Sequence, residues 1–342
     1  IKQSNTIWES NSTPSTQTPP MSHPSLIEEL SLPVISAPMF LVSGPELVIE
    51  CCRNGIVGSF PALNPRTSEE FETWLDTIEE QLYEHETPSG RPPAPYAVNL
   101  IVHHSNSRVE ADLEICVRRK VPLIITSLGI RPEVIEAIHS YGGRVFHDVI
   151  KRRHAEKAAA AGVDGLILVS AGAGGHAGTL NPLSLVSEVR SFFDGPLLLS
   201  GCISTGQDIA AALQMGADMA YMGTRFINTR ESLAPRAYRE MIIEAGAGDI
   251  VYTAAVSGVH ANFLRASLEQ TGMPAEAWEA DTQIDFSETS SEARAWKTIW
   301  SAGQGACSVK DVLPAAELID RLKHEFREAV TRQSRLLDTY PK

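Results

Sequence analysis

The segment Ser170-Ala171-Gly172-Ala173-Gly174-Gly175-His176-Ala177-Gly178 sets four glycines and three alanines around one histidine. Backbone carrying so little side chain lets a flat ligand or a phosphate approach closely, and lets amide N–H groups converge on it. His176 is the titratable side chain of the stretch, and an imidazole with an ordinary pKa of about 6.5 can hold or release a proton near neutral pH. The plainer alternative is a flexible glycine-rich connection with an incidental surface histidine. Two further turns, Ser200-Gly201-Cys202-Ile203 and Tyr221-Met222-Gly223-Thr224-Arg225, each pass from an apolar run into a helical pattern. Glycine-bearing turns at the last two strand ends of an α/β barrel are where a phosphate commonly binds, held by backbone donors and a helix N-terminus. The alternative is that each glycine only permits a tight turn.

The elements that position these residues follow from the spacing of apolar runs. Strands are expected at Leu32–Ala37, Gly55–Ser59, Tyr96–Ile101, Pro122–Thr126, Arg144–Val149, Gly165–Val169, Pro196–Ser200 and Met219–Met222, with helical patterns between them. Runs such as Leu-Ile-Ile and Leu-Leu-Leu suit parallel strands covered on both faces. Eight such units predict an α/β fold, a TIM (β/α)8 barrel, with an additional C-terminal helical segment. The runner-up is an open doubly wound sheet, but no G-x-G-x-x-G opens the first βα turn. Arg66–Pro95 adds a helical pattern (Phe71, Trp74, Leu75, Ile78, Leu82) and a breaker-rich stretch over 87–95. Beyond Thr224, helices are expected at Pro235–Ala247 and Pro314–Val330, the second carrying Leu318, Ile319, Leu322 and Phe326 on one stripe. The acidic stretch Thr271–Glu292 reads as an exposed excursion, and the tail either caps the barrel mouth or packs its flank. Residues 1–20 are expected to be a disordered tail or an expression remnant, 21–230 the barrel and 231–342 the C-terminal segment.

Composition narrows the partners. The chain has 342 residues, 43% of them hydrophobic, and 29 basic against 42 acidic residues give a net charge of −13. That field disfavours nucleic acid and anionic membrane surfaces and points to small molecules. No apolar run reaches spanning length and no signal-peptide core opens the chain, so the default expectation is a cytoplasmic protein, with homo-oligomerisation left open. The five scattered cysteines fit buried thiols better than disulfides or a zinc site. No metal is expected: His103-His104 lack a carboxylate or thiolate at useful spacing. The His147-Asp148 pair and Lys151-Arg152-Arg153-His154 present charge to the mouth or, more often for such runs, form a solvated helix face. His260 is a candidate for the substrate side.

Taken together, Ala37-Pro38-Met39, Asn99 in Val98-Asn99-Leu100, Gly174-Gly175-His176-Ala177-Gly178, Gly201-Cys202-Ile203, Met222-Gly223-Thr224 and Trp300-Ser301-Ala302-Gly303-Gln304-Gly305 resemble the successive motifs of the nitronate monooxygenase family. The resemblance runs from about Leu32 to Leu322. It implies an FMN-dependent barrel, in which Ala37, Pro38 and Met39 lie along the flavin ring, Asn99 hydrogen-bonds it, and Gly174 and Gly175 admit it. Gly201, Gly223 and Thr224 would hold its phosphate, and the expected cofactor-binding set also takes in Thr126, Ala173 and Cys202. His176 matches the family's active-site histidine. The structural alternatives are Asn99 or Thr224 as a cap and Met39 as core filler. Members near the bacterial monooxygenases usually read Gln-Gly-x-Glu-Ala-Gly-Gly-His, whereas Val169, Ser170 and Gly172 stand at the Gln, Gly and Glu positions here. Tyr221 replaces a common glutamine, and Cys202 replaces a second glycine, where a small buried thiol is favoured over a nucleophile. These departures bear on the subtype. The function implied is oxidation of alkyl nitronates, or nitroalkanes, by dioxygen to a carbonyl compound and nitrite. The alternatives are an NAD(P)H-dependent flavin reductase acting on quinones or enoyl thioesters, and a non-catalytic FMN-binding barrel.

Overall fold

A computed structural model describes residues 26–83, 87, 90–256, 258–272, 275, 278 and 299–340. The expected tail at 1–20 and most of the excursion at 271–292 lie outside the described residues.

Eight parallel strands form one sheet in the order β1-β9-β8-β6-β5-β4-β3-β2. They are β1 (Val34–Ser36), β2 (Ser59–Pro61), β3 (Ala97–Ile101), β4 (Leu123–Ser127), β5 (Arg144–Val149), β6 (Gly165–Val169), β8 (Leu197–Ser200) and β9 (Met219–Met222). A parallel bridge between Ile35 and Val57 joins the two edges, so the sheet closes into a barrel. All eight expected strands are present, although the second begins later than its apolar run suggests. Gly55 has φ +82 and turns the chain, so pairing with β3 starts only at Ser59.

Strand alternation divides the core in two. Ile35, Ala97, Ile125, Phe146, Ile167, Leu198 and Met219 fill the barrel interior. Val34, Val98, Ile124, Val145, Leu166, Leu168 and Leu199 face outward and pack under the helices. Each such side chain, taken fully out of water, contributes about 1.5–3 kcal/mol. The ring of helices comprises α1 (Pro45–Arg53), α2 (Ser68–Tyr83), α3 (Val109–Arg119), α4 (Pro132–His139), α5 (Arg152–Ala160), α6 (Pro182–Arg190) and α7 (Gly206–Gln214). α7 starts with a capping box in which the Thr205 side chain accepts from the Asp208 N–H and the Asp208 carboxylate accepts from the Thr205 N–H.

The eighth helix of the ring comes from the far end of the chain. Helix Ala315–Ser334 packs between α1 and α7, with Leu318, Ile319 and Leu322 fully buried. A Cβ on Gly206 would lie 2.3 Å from the Leu322 carbonyl oxygen, so glycine alone permits this approach. Glu325 Oε2 then accepts from the Gly206 N–H at 2.7 Å, and Lys323 Nζ donates to the Asn54 carbonyl at 3.0 Å. The helix therefore lies on the flank rather than across the mouth.

The segment between β9 and this helix contains more than the expected helices. α8 (Thr224–Ile227), α9 (Arg236–Glu244) and α10 (Arg265–Gln270) accompany an antiparallel hairpin, β10 (Ile250–Thr253) with β11 (Ala261–Leu264). Reading the tail as helical missed this hairpin. Its second strand pairs with a short strand inside the glycine-rich loop, β7 (Gly175–His176).

Candidate active site

The glycine-rich loop is anchored by residues distant in sequence. Ala261 pairs with His176 and Asn262 with Gly175, which makes the loop the edge of a three-stranded sheet. The Asn262 amide donates to the Ala173 carbonyl at 2.6 Å, and the Tyr252 hydroxyl donates to the Ala177 carbonyl at 3.0 Å. At the loop's start, Ser170 Oγ donates to the Ser200 carbonyl at 2.7 Å, tying the ends of β6 and β8 together. The His176 ring is half-buried with Nε2 enclosed, and burial lowers its pKa to about 4. At neutral pH it is therefore a neutral imidazole. His260 is exposed and stacks on Tyr252 at 5.0 Å, so it belongs to the hairpin that carries this edge.

Four further segments converge on the loop. The Gly303 N–H donates to Thr224 Oγ1 at 2.8 Å, and the Gln304 N–H donates to the Gly172 carbonyl at 2.8 Å. A Cβ on Gly174 would stand 2.8 Å from the Gly303 nitrogen and 3.3 Å from Thr224 Oγ1. Gly201 has φ +125, and a Cβ there would meet Ser170 Oγ at 2.4 Å and the Ala171 carbonyl at 2.9 Å. On the other side a Cβ on Gly223 would lie 3.7 Å from Ala37 Cβ and from Met39 Sδ. The loop after β1 is in turn held by Asn64, whose amide donates to the Met39 and Ser43 carbonyls at 3.1 and 2.7 Å.

Asn99, from β3, sits on the barrel floor at 7% exposure. Its amide donates to the Ile125 carbonyl at 3.0 Å and to Ser127 Oγ at 2.8 Å, and Ser127 Oγ donates to Asp148 Oδ2 at 2.6 Å. Asp148 follows Phe146 in the inward phase of β5, and its Oδ1 is enclosed without a hydrogen-bond partner among the described residues. Burial raises the Asp148 pKa to about 6, with the Ser127 hydrogen bond acting in the opposite direction. Tyr221 faces it from β9, and burial, then the Asp148 charge, pushes the phenol well above its ordinary range.

Thr126 lies on the opposite face of the wall. Its Oγ1 meets His147 Nδ1 at 2.7 Å, in the layer between sheet and α5, where burial and then the charge of His154 lower the His147 pKa to about 4. The structure thus brings Ala37, Met39, Ala173, Gly174, Gly175, His176, Gly201, Gly223 and Thr224 to one end of the barrel, with Pro38 beside Met39 and Asn99 beneath, but turns Thr126 away. Cys202 is exposed rather than buried, with φ +57 and Sγ 3.7 Å from Gln304 Oε1. Burial still raises its pKa, so the thiol is not an activated nucleophile. Cys307 is likewise exposed, so buried thiols are correct for Cys51, Cys52 and Cys116 alone. Sequence reading missed Asn262, Tyr252, Ser127 and the positioning of Asp148. A carboxylate in the inward phase at a strand end was the available signal for the last.

The expected flavin is compatible with these residues. Glycines at 174, 201 and 223 let three strand ends meet closely, the first two against the chain's own Gly303 and Ser170, and leave that end of the barrel with the exposed backbone that a phosphate would need. The unpaired Asp148 Oδ1 on the floor offers a polar group that still needs a partner.

A family model described as nitronate monooxygenase matches residues 59–325. A nitronate monooxygenase of Paraburkholderia phytofirmans is 26% identical over 87% of this chain and 93% of its own length. The (3aS,4S,5R,7aS)-5-hydroxy-7a-methyl-1-oxo-octahydro-1H-indene-4-carboxyl-CoA dehydrogenase of Rhodococcus jostii is 28% identical over 70% of this chain, which spans 65% of that enzyme's length. Among solved structures, a nitroalkane oxidase of Streptomyces ansochromogenes superposes with a TM-score of 0.76 at 26% identity, covering 90% of this chain and 99% of its own.

Proposed function

Because the chain belongs to the nitronate monooxygenase family, we propose that it is an FMN-dependent oxidoreductase that oxidises alkyl nitronates, or the parent nitroalkanes, with dioxygen. The observation that carries this reading is the convergence of bare backbone at Gly174, Gly201 and Gly223 with a neutral histidine, His176, two residues from Gly174. FMN, when bound, supplies the electron relay between the nitronate and dioxygen, from which a carbonyl compound and nitrite result.

The chain's residues supply position and proton handling. Backbone N–H groups of the turns bearing Gly201 and Gly223, with Thr224, would hold the phosphate, and Ala37, Pro38 and Met39 would line the ring. Ala173 and Gly175 flank Gly174 in the same loop, and Cys202 follows Gly201. His176 has its pKa lowered by burial, so it does not act as a standing cation toward the nitronate. A neutral imidazole accepts the acidic α-proton when a nitroalkane is the substrate. Asn262 and Tyr252 fix the strand that carries it, so the ring is positioned before substrate arrives.

A second reading has support in the Rhodococcus relative named as a carboxyl-CoA dehydrogenase: a flavin oxidoreductase acting on a thioester. Anaerobic mixing separates the two. Bleaching of the yellow chromophore by ethyl nitronate, and not by NADH or NADPH, supports the nitronate reading. Rapid bleaching by a nicotinamide, with none by nitronate, overturns it in favour of a reductase.

A further inference from the structure

Asp148 is a carboxyl group with one oxygen accounted for and one not. The hydrogen bonds leading to it run in one direction: the Asn99 amide donates to Ser127 Oγ, and Ser127 donates to Asp148 Oδ2 at 2.6 Å. Oδ2 is thereby committed as an acceptor. A proton that leaves this bond in place resides on Oδ1, the atom that is enclosed and has no partner among the described residues. An isolated buried polar atom of this kind costs about 1–3 kcal/mol, so a partner is to be expected from whatever occupies the site. The other titratable side chain of this strand end offers a contrast, because His147 faces outward and is paired with Thr126.

The side chain belongs to the inward phase of β5 at its C-terminal end, the end where the site loops meet, and it is only partly covered. Ser127 from β4, Ile167 and Val169 from β6, and Tyr221 from β9 face it; of these Tyr221 alone titrates, and its phenol stays protonated well beyond neutral pH. No cation faces it.

We propose that Asp148 is a residue of the flavin site, held by Ser127 through Oδ2 and donating a hydrogen bond from protonated Oδ1 to an acceptor on the polar edge of the bound ring. This inference rests on the flavin reading above. Desolvation supports it, since burial already raises the carboxyl to about 6 and an acceptor over Oδ1 raises it further. Flavin binding then takes up a proton, and affinity falls as pH rises above about 6, by at most about tenfold per unit.

The test is equilibrium titration of the flavin-stripped full chain with FMN between pH 5.5 and 8.5, followed by fluorescence quenching. Riboflavin serves as a second probe, because it has no phosphate to titrate. For the wild-type chain the riboflavin Kd is expected to rise with pH. Asp148→Asn keeps an acceptor for Ser127 and a donor at the second position, so its Kd is expected to match the wild-type value at pH 5.5 and to stay flat. Asp148→Leu is expected to bind about tenfold more weakly at pH 5.5, with circular dichroism reporting that the barrel is intact. Coincident pH profiles for wild type and Asp148→Asn, or a Kd that falls as pH rises, overturn the inference and leave the flavin reading standing. Failure of the wild-type chain to bind FMN at any pH overturns both.

Discussion

His147 and Asp148 are adjacent on β5, yet the barrel wall assigns them to different regions. His147 lies in the layer under α5, paired with Thr126 and kept neutral by burial. Asp148 faces the axis, half-satisfied, in a hydrogen-bonded row with Ser127 and Asn99. Both are ionisable groups with pKa values displaced by burial, His147 fully and Asp148 partly covered, so displacement alone does not distinguish structure from function. The face does. In the outer layer His147 is closed in by α5 and completed by Thr126, whereas the inner layer ends in loops and leaves Asp148 Oδ1 without a hydrogen-bond partner among the described residues.

Changes on the inner face and its loops are expected to reach ligand or turnover, with or without an effect on stability, and changes on the outer face stability alone. The largest effect is expected for His176→Ala, a fall in kcat of about 10²–10⁴ with flavin content unchanged, read by absorbance and nitrite release. Full activity in that variant would remove the imidazole from the mechanism. Asp148→Asn is expected to stabilise the fold at alkaline pH. The wild-type carboxyl has its folded pKa raised from 3.8 to about 6, so its contribution is full below 3.8 and is lost as pH rises through about 6. The amide avoids that loss, giving a gain of up to about 3 kcal/mol at pH 8 and none at pH 3.5, measured by urea unfolding.

Gly201→Ala tests the convergence of loops. With φ +125 and a clash against Ser170 Oγ, it is expected to cost about 1–3 kcal/mol and to weaken FMN binding together with stability. Thr126→Val gives the smallest effect and probes the division of faces most directly. Losing the partner of His147 is expected to cost about 1 kcal/mol while FMN affinity stays unchanged. A loss of flavin binding in this variant would break the distinction between the faces. His147 itself, lowered from 6.5 to about 4, adds acid lability: its contribution is present above 6.5 and is lost as pH falls through about 4.

Much of the barrel is legible in the chain. Runs such as Leu123–Thr126 and Leu197–Ser200 are apolar on consecutive positions because their strands are covered on both faces, and that pattern survives without tertiary information. Gly55–Ser59 misleads because an apolar run can also pack in a turn. The helix at 315–334 is announced by its Leu318–Ile319–Leu322 stripe, but not the groove it fills. The hairpin of β10 and β11 is short, and the partner that makes it matter, His176, lies 85 residues before Ala261. Local pattern carries no signal across such a distance.

The sequence by itself determined the set of strands, the bare glycine-rich loop, the lone histidine within it and the family likeness, because these depend on residue type and on spacing within a few turns. Tertiary structure alone decided which atoms face the site. Closing the barrel fixed the phase of β5, sending His147 out and Asp148 in. Return of the chain after β9 pinned His176 to a sheet edge and brought Gly303 against Thr224. The physical reason is that a hydrogen bond's direction and a side chain's burial depend on partners that the local sequence does not contain.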